Sequence, residues 1–449
     1  MDRQILVPKK KLYLETTALI LFTFCTVFYS RIFCSITRAP SALNFFHFVA
    51  AIATFVIAII TTRTKNREQI SISMGLLRGL ISFAIVMIVS GLLNYAGFIN
   101  IVFNFLILGE PFLFLIAIIC IPLSLNKIQR IRSWILVSAL INYLAAEAQN
   151  FMLRTGRMGM VGNYTLQDQV QGTFYLSGAG GYISAGISVM VAIYFFLYMK
   201  SIPIWLRAMV IPAAIHHIVI SDTKQVLIVC LLGWVLLGIS KFLNIKQFLI
   251  YATCISVGIY VFYWAAYNVE ALSLFGYFLD RTEMYQGPDA GPSLKIEGIR
   301  MVISYYESPL NWLFGLGSGH TLGRMGGWTI NDYWSLLGPM GATQHPLYDE
   351  VWKLISSNWI LKSSTFFVPL FSWAGIWGDL GFLGLGTYLY LGILVWRQLC
   401  LDDFSRYLIF TTVSYGFFLT QMEEPGYMIV VVLLIGLRWH ERKQSLKQV

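Results

Sequence analysis

The chain is crossed by apolar segments, most of them long enough to span a membrane. Twelve can be drawn in the 449 residues, at about 14–33, 41–62, 74–94, 98–124, 133–153, 178–199, 204–220, 225–240, 248–268, 371–397, 405–421 and 425–439. A hydrocarbon core of about 30 Å needs about 20 apolar residues per helix, and open backbone is not tolerated in lipid. We therefore expect an all-α polytopic membrane protein with about twelve transmembrane helices, forming a single integral membrane domain over residues 1–449.

Charged residues are scarce in this chain and mostly basic. Asp, Glu, Lys and Arg make up 12% of the residues, against 57% hydrophobic residues, whereas a soluble domain carries about 25% charged residues. The formal net charge of +10 would suit a nucleic-acid partner. In a membrane protein, however, such a charge arises from Lys and Arg collected in cytoplasmic connections. We expect membrane lipid around the chain and no nucleic acid as a partner.

The basic residues fall on alternate connections between the apolar segments. They lie before the first segment, after each even-numbered segment, and at the end of the chain: Lys9, Lys10, Lys11, Arg63, Lys65, Arg67, Lys127, Arg130, Arg132, Lys200, Arg207, Lys241, Lys246, Arg397, Arg406, Arg438, Arg442, Lys443 and Lys447. Because Lys and Arg accumulate on the cytoplasmic side, this alternation predicts that both termini are cytoplasmic. The exceptions are Arg31 and Arg38, in the first outer connection.

This topology leaves two long connections on the outer face, a medium loop at 154–177 and a large loop at 269–370. A connection of about a hundred residues is uncommon without a functional reason. Charged residues and glycines lie in or beside both loops, and the large loop is also rich in tryptophan. We expect the two loops to form the two halves of one active site.

Four basic residues in or near these loops suit an anion such as a phosphate. Arg154 and Arg157 lie in the medium loop, ahead of glycines at 178–181 whose small size admits close approach of a backbone or a ligand. Lys224 ends the run Ser-Asp-Thr-Lys in a short outer turn, and Arg300 lies in the large loop. The alternatives are that the glycines only pack helices, that the arginines contact lipid headgroups, and that Lys224 snorkels to the interface.

Four residues of the large loop are candidates for acid–base chemistry. His320 follows a glycine-rich run at 315–319, and His345 is followed by Asp349 and Glu350. Histidine is the commonest general base near neutral pH, although a lone histidine is more often structural. The six cysteines lie in or beside apolar segments without metal-ligand spacing. We therefore expect no metal and no other cofactor.

Four stretches of the chain resemble the O-antigen polymerase and O-antigen ligase superfamily of bacterial envelope proteins. They are Val-Gln-Gly-Thr-Phe at 170–174, Ser-Asp-Thr-Lys at 221–224, Ser-Pro-Leu-Asn-Trp-Leu-Phe-Gly-Leu-Gly-Ser-Gly at 308–319 and Trp-Gly-Asp-Leu-Gly-Phe-Leu-Gly at 377–384. The resemblance implies a multi-pass protein of the bacterial inner (plasma) membrane. It also implies that a glycan is transferred from a polyprenyl pyrophosphate-linked oligosaccharide on the periplasmic face, with a chain-length regulator and a flippase as partners.

Spacing within the resemblance distinguishes two subtypes. Polymerases of this kind carry in each periplasmic loop an arginine followed at a fixed interval by glycine. Arg157 with Gly172 and Arg300 with Gly315 come one residue short of it. At Lys224 the family more often has arginine. Ligases have a histidine at the position that corresponds to Leu370, and its absence implies a polymerase.

Sequence and resemblance together predict a metal-independent glycosyltransferase that polymerises lipid-linked oligosaccharide repeat units into O-antigen or exopolysaccharide. The pyrophosphate leaving group is expected to be held by Arg154, Arg157, Lys224 and Arg300. The base is expected among His345, His320, Asp349 and Glu350. One alternative is an O-antigen ligase that transfers the glycan to another acceptor. The other is a lipid-linked oligosaccharide flippase or transporter, although transporters keep ionisable groups at the midplane and the charges here cluster at the outer loops.

Overall fold

The computed structural model of the protein describes residues 16–62, 66–159, 165–242, 245–272 and 290–445, with the single residues 276, 280, 284 and 286. Lys9, Lys10, Lys11, Arg63, Lys65 and Lys447 of the predicted basic flanks lie outside these ranges, as do parts of both predicted loops. Within the described ranges every regular element is helical.

The α-helices of five residues or more are numbered α1 to α16. They are α1 (Thr16–Thr37), α2 (Phe46–Thr61), α3 (Arg67–Leu93), α4 (Phe98–Cys120), α5 (Leu125–Arg154), α6 (Gly180–Tyr198), α7 (Ile204–Ile220), α8 (Lys224–Ile239), α9 (Ile245–Asn268), α10 (Gly291–Ser304), α11 (Pro309–Phe314), α12 (Leu347–Ser357), α13 (Trp359–Ser363), α14 (Ser372–Gln398), α15 (Asp403–Phe418) and α16 (Pro425–Ser445). Short helical turns lie between them at Ser41–Phe45, Gln167–Gln169, Gly172–Phe174, Glu270–Leu272, Met325–Thr329, Ile330–Asp332, Trp334–Leu337 and Gln421–Glu423.

Seven of these helices are long and apolar enough to cross a membrane, namely α1, α2 with its preceding turn, α3, α4, α6, α9 and α14. The chain is therefore an all-α membrane protein, as predicted. The helices α7 and α8 are shorter apolar helices, and α5, α15 and α16 coincide with the three remaining predicted segments. The count of twelve spans stays a prediction.

Several helices extend beyond the apolar segment that predicted them. The fifth segment was expected at 133–153, whereas α5 begins at Leu125, and the last was expected to end at 439, whereas α16 continues to Ser445. Hydropathy marks only the lipid-compatible part of a helix. The backbone hydrogen bonds continue into charged turns beyond it, because those side chains can reach water.

The centre of the helix bundle is formed by α4 and α16. In the apolar part of α4, 78% of the residues are buried, against none in α9. Nearly every residue of α16 from Pro425 to His440 is buried, because its sequence is apolar on all sides and it packs against α1, α4, α5, α6 and α15. The peripheral α9 packs mainly on α8.

The helix ends form two faces. On the first, called the loop face, helix ends bind the large loop through the pairs Asn94–Asn311, Gly97–Thr343, Tyr182–Thr365 and Phe418–Lys295. On the opposite face, basic residues of the predicted cytoplasmic connections pair with acids, as in Arg132–Glu441, Arg438–Asp402, Lys241–Asp403 and Lys443–Glu68. The alternation of basic connections thus corresponds to a real separation of two faces.

The described part of the large loop is folded. The helices α10, α12 and α13 pack around a small apolar core that includes Leu294, Val302, Leu347, Val351 and Leu370. Lys295 fastens this unit to the bundle, since its ammonium donates to the carbonyls of Phe366, Val368 and Phe418 at 2.9–3.0 Å. The loop therefore forms a fixed lid-like layer over the loop face.

Candidate functional site

A small polar cavity lies where the medium loop, the large loop and the loop-face ends of α1, α2 and α16 meet. Its volume is about 30 Å³, which is room for one or two water molecules. We call it the arginine cavity, and it is lined by Val27, Ser30, Arg31, Asn44, Phe45, His47, Phe174, Ser177, Ile183, Arg324, Glu424, Pro425 and Gly426. Both long loops contribute to it, as expected of a site shared between them.

Arg31 supplies the first cation of this cavity. Its Nη1 donates to the backbone carbonyl of Leu176 at 2.9 Å, and no described carboxylate lies within ion-pair distance of it. The charges of Arg324 and Glu424 act on it through space. Arg31 can therefore accept an additional anion without first releasing an acidic partner.

Arg324 supplies the second cation and is 8% exposed. Its Nε lies 3.0 Å from Oε1 of Glu424 as an ion pair, without hydrogen-bond geometry. Its Nη1 donates to the backbone carbonyl of Glu423 at 3.1 Å, and its backbone amide donates to the Glu423 side chain at 2.6 Å. A buried charge persists only when it is paired and hydrogen-bonded, so the connection at 419–424 is what holds Arg324 in place.

The two glutamates of that connection are both buried, and burial acts on the pKa of both carboxyl groups. Burial raises the pKa of Glu423 to about 8. Burial also raises the pKa of Glu424, while Arg324 and Arg31 lower it. Asp332 is exposed and acts on both arginines from outside the cavity. Two guanidinium groups and one carboxylate, that of Glu424, thus line the cavity, and this lining suits an anion.

The fourth ionisable group on the wall is His47, in the first turn of α2. Its Nδ1 lies 2.7 Å from Oε1 of Glu110, a residue of α4, and the two residues are 6% and 1% exposed. Of the described residues, only Glu110 hydrogen-bonds the imidazole ring, and the second carboxylate oxygen, Oε2, has no described partner. The ring nitrogen Nε2 therefore remains free to bind something else.

Several buried polar atoms on or near this cavity have no hydrogen-bond partner among the described residues. On its wall they include Oδ1 of Asn44, a residue that is 8% exposed. Nearby, both amide atoms of Gln421 and Oε1 of Glu423 have no described partner. Because buried polar groups are normally hydrogen-bonded, these atoms indicate that water or the polar groups of a ligand occupy the region.

The medium loop reaches the cavity because Gln149 of α5 fixes its backbone. Oε1 of Gln149 accepts from the amides of Gln171 and Gly172, each at 2.8 Å, and its Nε2 donates to the Gly172 carbonyl at 2.8 Å. Gly172 adopts φ +57°, a conformation that favours glycine. The stretch at 170–174 is thus a buried turn that delivers Phe174 to the cavity wall.

The large loop is positioned by Asp379 of α14. Its carboxylate accepts from the amide of Gly319 at 2.7 Å, from the amide and hydroxyl of Thr321 at 2.9 and 2.7 Å, and from Asn104 at 3.0 Å. The glycine-rich run at 315–319 therefore wraps around a carboxylate of its own chain and offers no free phosphate cradle. This anchoring lies immediately ahead of Arg324 and directs it into the cavity.

A larger cavity of about 340 Å³ lies between α5, α6 and α7. Its walls are almost entirely apolar and carry no charged side chain, so it has no means to conduct acid–base chemistry. Its shape and lining suit a hydrocarbon chain of a lipid. The candidate site is therefore the smaller arginine cavity.

The predicted anion-binding arginines of the medium loop do not line the arginine cavity. Nε of Arg154 donates to Oδ1 of Asn150 at 2.9 Å, and the guanidinium of Arg157 lies 5.6 Å from the centre of the Phe151 ring. Both arginines are exposed. Each is engaged with a neighbour on or just after α5, so the structure does not bring them to Arg31 or Arg324.

The other two predicted anion-binding residues are also engaged locally. Lys224 lies 2.9 Å from Asp222, in the turn between α7 and α8. Arg300 lies 3.0 Å from Glu297, one helical turn earlier in α10, and its side chain is 71% exposed. Neither lines the arginine cavity, so the four predicted cations do not converge on that cavity.

Of the predicted bases, His320 is buried with both ring nitrogens in use. Nδ1 donates to the carbonyl of Leu316 at 2.9 Å, and Nε2 accepts from the hydroxyl of Thr343 at 2.8 Å. The same hydroxyl accepts from the amide of Gly97, which fixes the direction of the chain of hydrogen bonds. Burial lowers the pKa of His320 to about 4. These contacts are those of a structural histidine.

The predicted bases at 345–350 lie beside His320. The rings of His345 and His320 are 5.5 Å apart, and Tyr305 lies against His345 and donates to Glu350 at 2.7 Å. Burial lowers the pKa of His345, while Glu350 raises it. Asp349 is exposed in the first turn of α12. The two histidines line a separate cavity of about 10 Å³, so three of the four candidates come together but away from the arginines.

The residues that sequence reasoning missed carried a signal in the chain. Arg31 was one of the two exceptions to the charge distribution of the connections, and such exceptions mark functional candidates. His47 and Glu110 are ionisable groups within apolar segments, which default to a functional hypothesis. The adjacent Glu423 and Glu424 stand in a short connection between two apolar segments. Only the fold shows that these residues meet.

Within the described ranges, no group of three or more His, Cys, Asp or Glu side chains is arranged to hold a metal ion. Models of known protein families, curated proteins and solved structures include no match to this chain.

Proposed function

We propose that the protein polymerises lipid-linked oligosaccharide repeat units, by glycosyl transfer from a polyprenyl pyrophosphate-linked glycan. In this proposal the loop face is periplasmic, the membrane is the bacterial inner membrane, and both termini are cytoplasmic. The observation that carries the proposal is the arginine cavity, where Arg31 and Arg324 meet at the junction of the two loops with the membrane helices. A lipid-linked donor needs an anion site at this depth, because its diphosphate lies between its lipid and its sugar.

The two arginines have the chemistry that departure of a diphosphate requires. Negative charge develops on the leaving oxygen as the glycosidic bond breaks, and fixed cations in a site of low dielectric stabilise that charge without a metal. Arg31 has no acidic partner among the described residues, while Arg324 can exchange Glu424 for the diphosphate. Each charge-assisted contact contributes about 1.5–3 kcal/mol, so losing one should slow turnover about ten- to a hundred-fold.

The size of the cavity sets a condition on binding. A volume of about 30 Å³ holds single polar groups but no disaccharide. The donor must therefore displace part of the cavity wall when it enters. The apolar cavity between α5, α6 and α7 gives a polyprenyl chain an apolar surface nearby in the same bundle.

The test is polymer formation by the purified protein in nanodiscs. The probe is the lipid-linked repeat unit extracted from cells that lack the protein, and products are resolved by size on gels. We expect a ladder of products from the wild type and a loss of about ten- to a hundred-fold in Arg31→Gln. The double variant Arg324→Gln with Glu424→Gln should lose as much, because it removes the cation without leaving a buried carboxylate unpaired.

Arg300→Ala is the matched control, because Arg300 is an arginine of the large loop that lies outside the cavity. It should retain wild-type activity. If Arg300→Ala makes no polymer while Arg31→Gln keeps full activity, the anion site lies at the predicted cations and not in the arginine cavity. Those cations are Arg154, Arg157, Lys224 and Arg300. If the wild-type protein makes no polymer, the proposed polymerase function is wrong.

A second candidate, a lipid-linked oligosaccharide flippase, is favoured by two features of the helices. The helix α14 is broken at Gly381, which has φ +63°, and the His47–Glu110 pair lies within membrane helices. Transporters use broken helices and intramembrane ionisable groups. The same nanodisc preparation separates the two functions, because a flippase leaves the repeat unit at its original size. A ligase would yield one size increment on a different acceptor.

A further inference from the structure

The geometry points to His47 as the general base that takes the proton from the acceptor hydroxyl, held in position by Glu110. This inference rests on the proposed glycosyl transfer and assigns its base. No sequence motif singled out either residue. Glu110 acts through His47 and is a positioning residue, whereas His47 would contact the reacting hydroxyl.

The side chains of His47 and Glu110 are in direct contact. Nδ1 of His47 and Oε1 of Glu110 are 2.7 Å apart in a region where both residues are almost fully buried. A carboxylate at that distance fixes the imidazole with its proton on Nδ1. The lone pair is then on Nε2, which is the arrangement by which a carboxylate orients a histidine base.

The imidazole of His47 lies on the wall of the arginine cavity. His47 lines the arginine cavity together with Arg31, Arg324 and Glu424, so it lies on the wall that would face the reacting groups. A base must be within hydrogen-bond reach of the proton that it abstracts. The cations for the leaving group and the base for the nucleophile thus share one cavity.

Hydrogen-bond acceptors around the pair lack described partners. Oε2 of Glu110, with the residue 1% exposed, has no described partner, and neither has Oδ1 of Asn44 on the cavity wall. Both atoms are buried hydrogen-bond acceptors, and buried acceptors rarely lack a donor. An acceptor sugar carries several hydroxyl donors, and Asn44 is positioned to bind one of them while another is deprotonated.

The competing histidines are less suited to this role. His320 uses both ring nitrogens in hydrogen bonds to Leu316 and Thr343. His345 accepts at Nδ1 from the amide of Leu347 at 3.2 Å and lines a different cavity. Neither shares a cavity with the two arginines, so neither can serve a nucleophile that attacks there.

The acceptor hydroxyl gives its proton to Nε2 of His47 as its oxygen forms a bond to the anomeric carbon of the donor. The bond from that carbon to the diphosphate oxygen breaks, and its electron pair leaves with the diphosphate between Arg31 and Arg324. The imidazolium then returns its proton to water or to the departing diphosphate.

The experiment uses the nanodisc preparation and the extracted lipid-linked repeat unit. His47→Gln should lower kcat for polymer formation about a hundred-fold or more, the scale of general-base catalysis, and leave KM near the wild-type value. Imidazole added to His47→Ala should restore part of the rate, which a purely structural role would not allow. Glu110→Gln should lower kcat by a smaller factor than His47→Gln does. Glu110→Asp should have a kcat between that of Glu110→Gln and that of the wild type.

His216→Gln is the matched control. His216 also pairs with a glutamate, Nδ1 lying 2.8 Å from Glu147, but it does not line the cavity. Binding of inorganic pyrophosphate to His47→Gln is measured as a shift of the thermal midpoint. Such binding shows that the cation site remains folded. The base assignment is overturned if the wild type polymerises and His47→Gln matches His216→Gln. If the wild type itself makes no polymer, the proposed function fails and the assignment fails with it.

Discussion

The carboxylate of Asp379 and the backbone amide of Gly319 are joined by a hydrogen bond of 2.7 Å. This contact connects a membrane helix, α14, to the glycine-rich run of the large loop across 60 residues of sequence. Together with the two bonds from Thr321, it makes Asp379 the anchor of the segment that carries Arg324. The position of the second cation in the arginine cavity therefore depends on a residue outside that cavity.

Asp379→Asn should loosen the large loop without unfolding the bundle. An amide offers one acceptor oxygen where the carboxylate offers two, so at least one buried donor among Gly319 and Thr321 loses its partner. The cost of such a loss is about 1.5–3 kcal/mol. We expect faster cleavage within the large loop by limited proteolysis, and a lower thermal midpoint. Asp349→Asn, at an exposed site, should change neither, and equal cleavage of the two variants would contradict the anchor.

Gly172→Ala should disrupt the medium loop. The left-handed conformation costs an alanine about 1–2 kcal/mol, and the added methyl group would lie 2.8 Å from the backbone oxygen of Asn142. The relief of such overlap costs about 1–3 kcal/mol more. Gly178→Ala is the matched control in the same region, since its methyl group meets no atom within 4 Å. Thermal unfolding in detergent should show a lower midpoint for the first variant only.

Because of Glu423, we expect the stability of the folded protein to depend on pH near neutrality. Burial raises the pKa of its carboxyl from 4.5 to about 8 in the folded protein, so the folded state retains a proton that the unfolded state releases. This contribution to stability is complete below pH 4.5 and is lost as the pH rises through about 8. The thermal midpoint of the wild type should therefore fall across that interval by more than that of Glu423→Gln, whose amide does not titrate. Glu297→Gln, at a more exposed acid, should keep the wild-type slope.

The membrane helices were the part of the fold most open to prediction from sequence. An apolar segment such as Phe98–Cys120 must form a helix in a lipid or protein environment, so it can be predicted without knowledge of the rest of the fold. The local pairing of Arg300 with Glu297 was also open to prediction, because residues three apart on a helix are neighbours. Because Arg300 is exposed and already paired with Glu297, it is a weaker anion ligand than its charge alone implied.

The arginine cavity was beyond prediction from one sequence, because its parts meet only in the folded protein. His47 and Glu110 are 63 residues apart, and Arg324 is 99 residues from Glu423. Each of these residues is unusual for its place in the chain. Nothing in the spacing of residues, however, indicates which helix ends adjoin, and it was this adjacency that moved the candidate site away from the predicted cations.

His320 offers a test that separates structural from catalytic histidines. Burial lowers its pKa from 6.5 to about 4, so its contribution to stability is complete above pH 6.5 and is lost as the pH falls through about 4. His320→Gln should reduce the acid sensitivity of the thermal midpoint and, by breaking the bonds to Leu316 and Thr343, cost about 1–3 kcal/mol. Polymer formation per folded molecule should nevertheless stay at the wild-type rate. A folded His320→Gln protein that forms no polymer would restore His320 as a base and argue against His47.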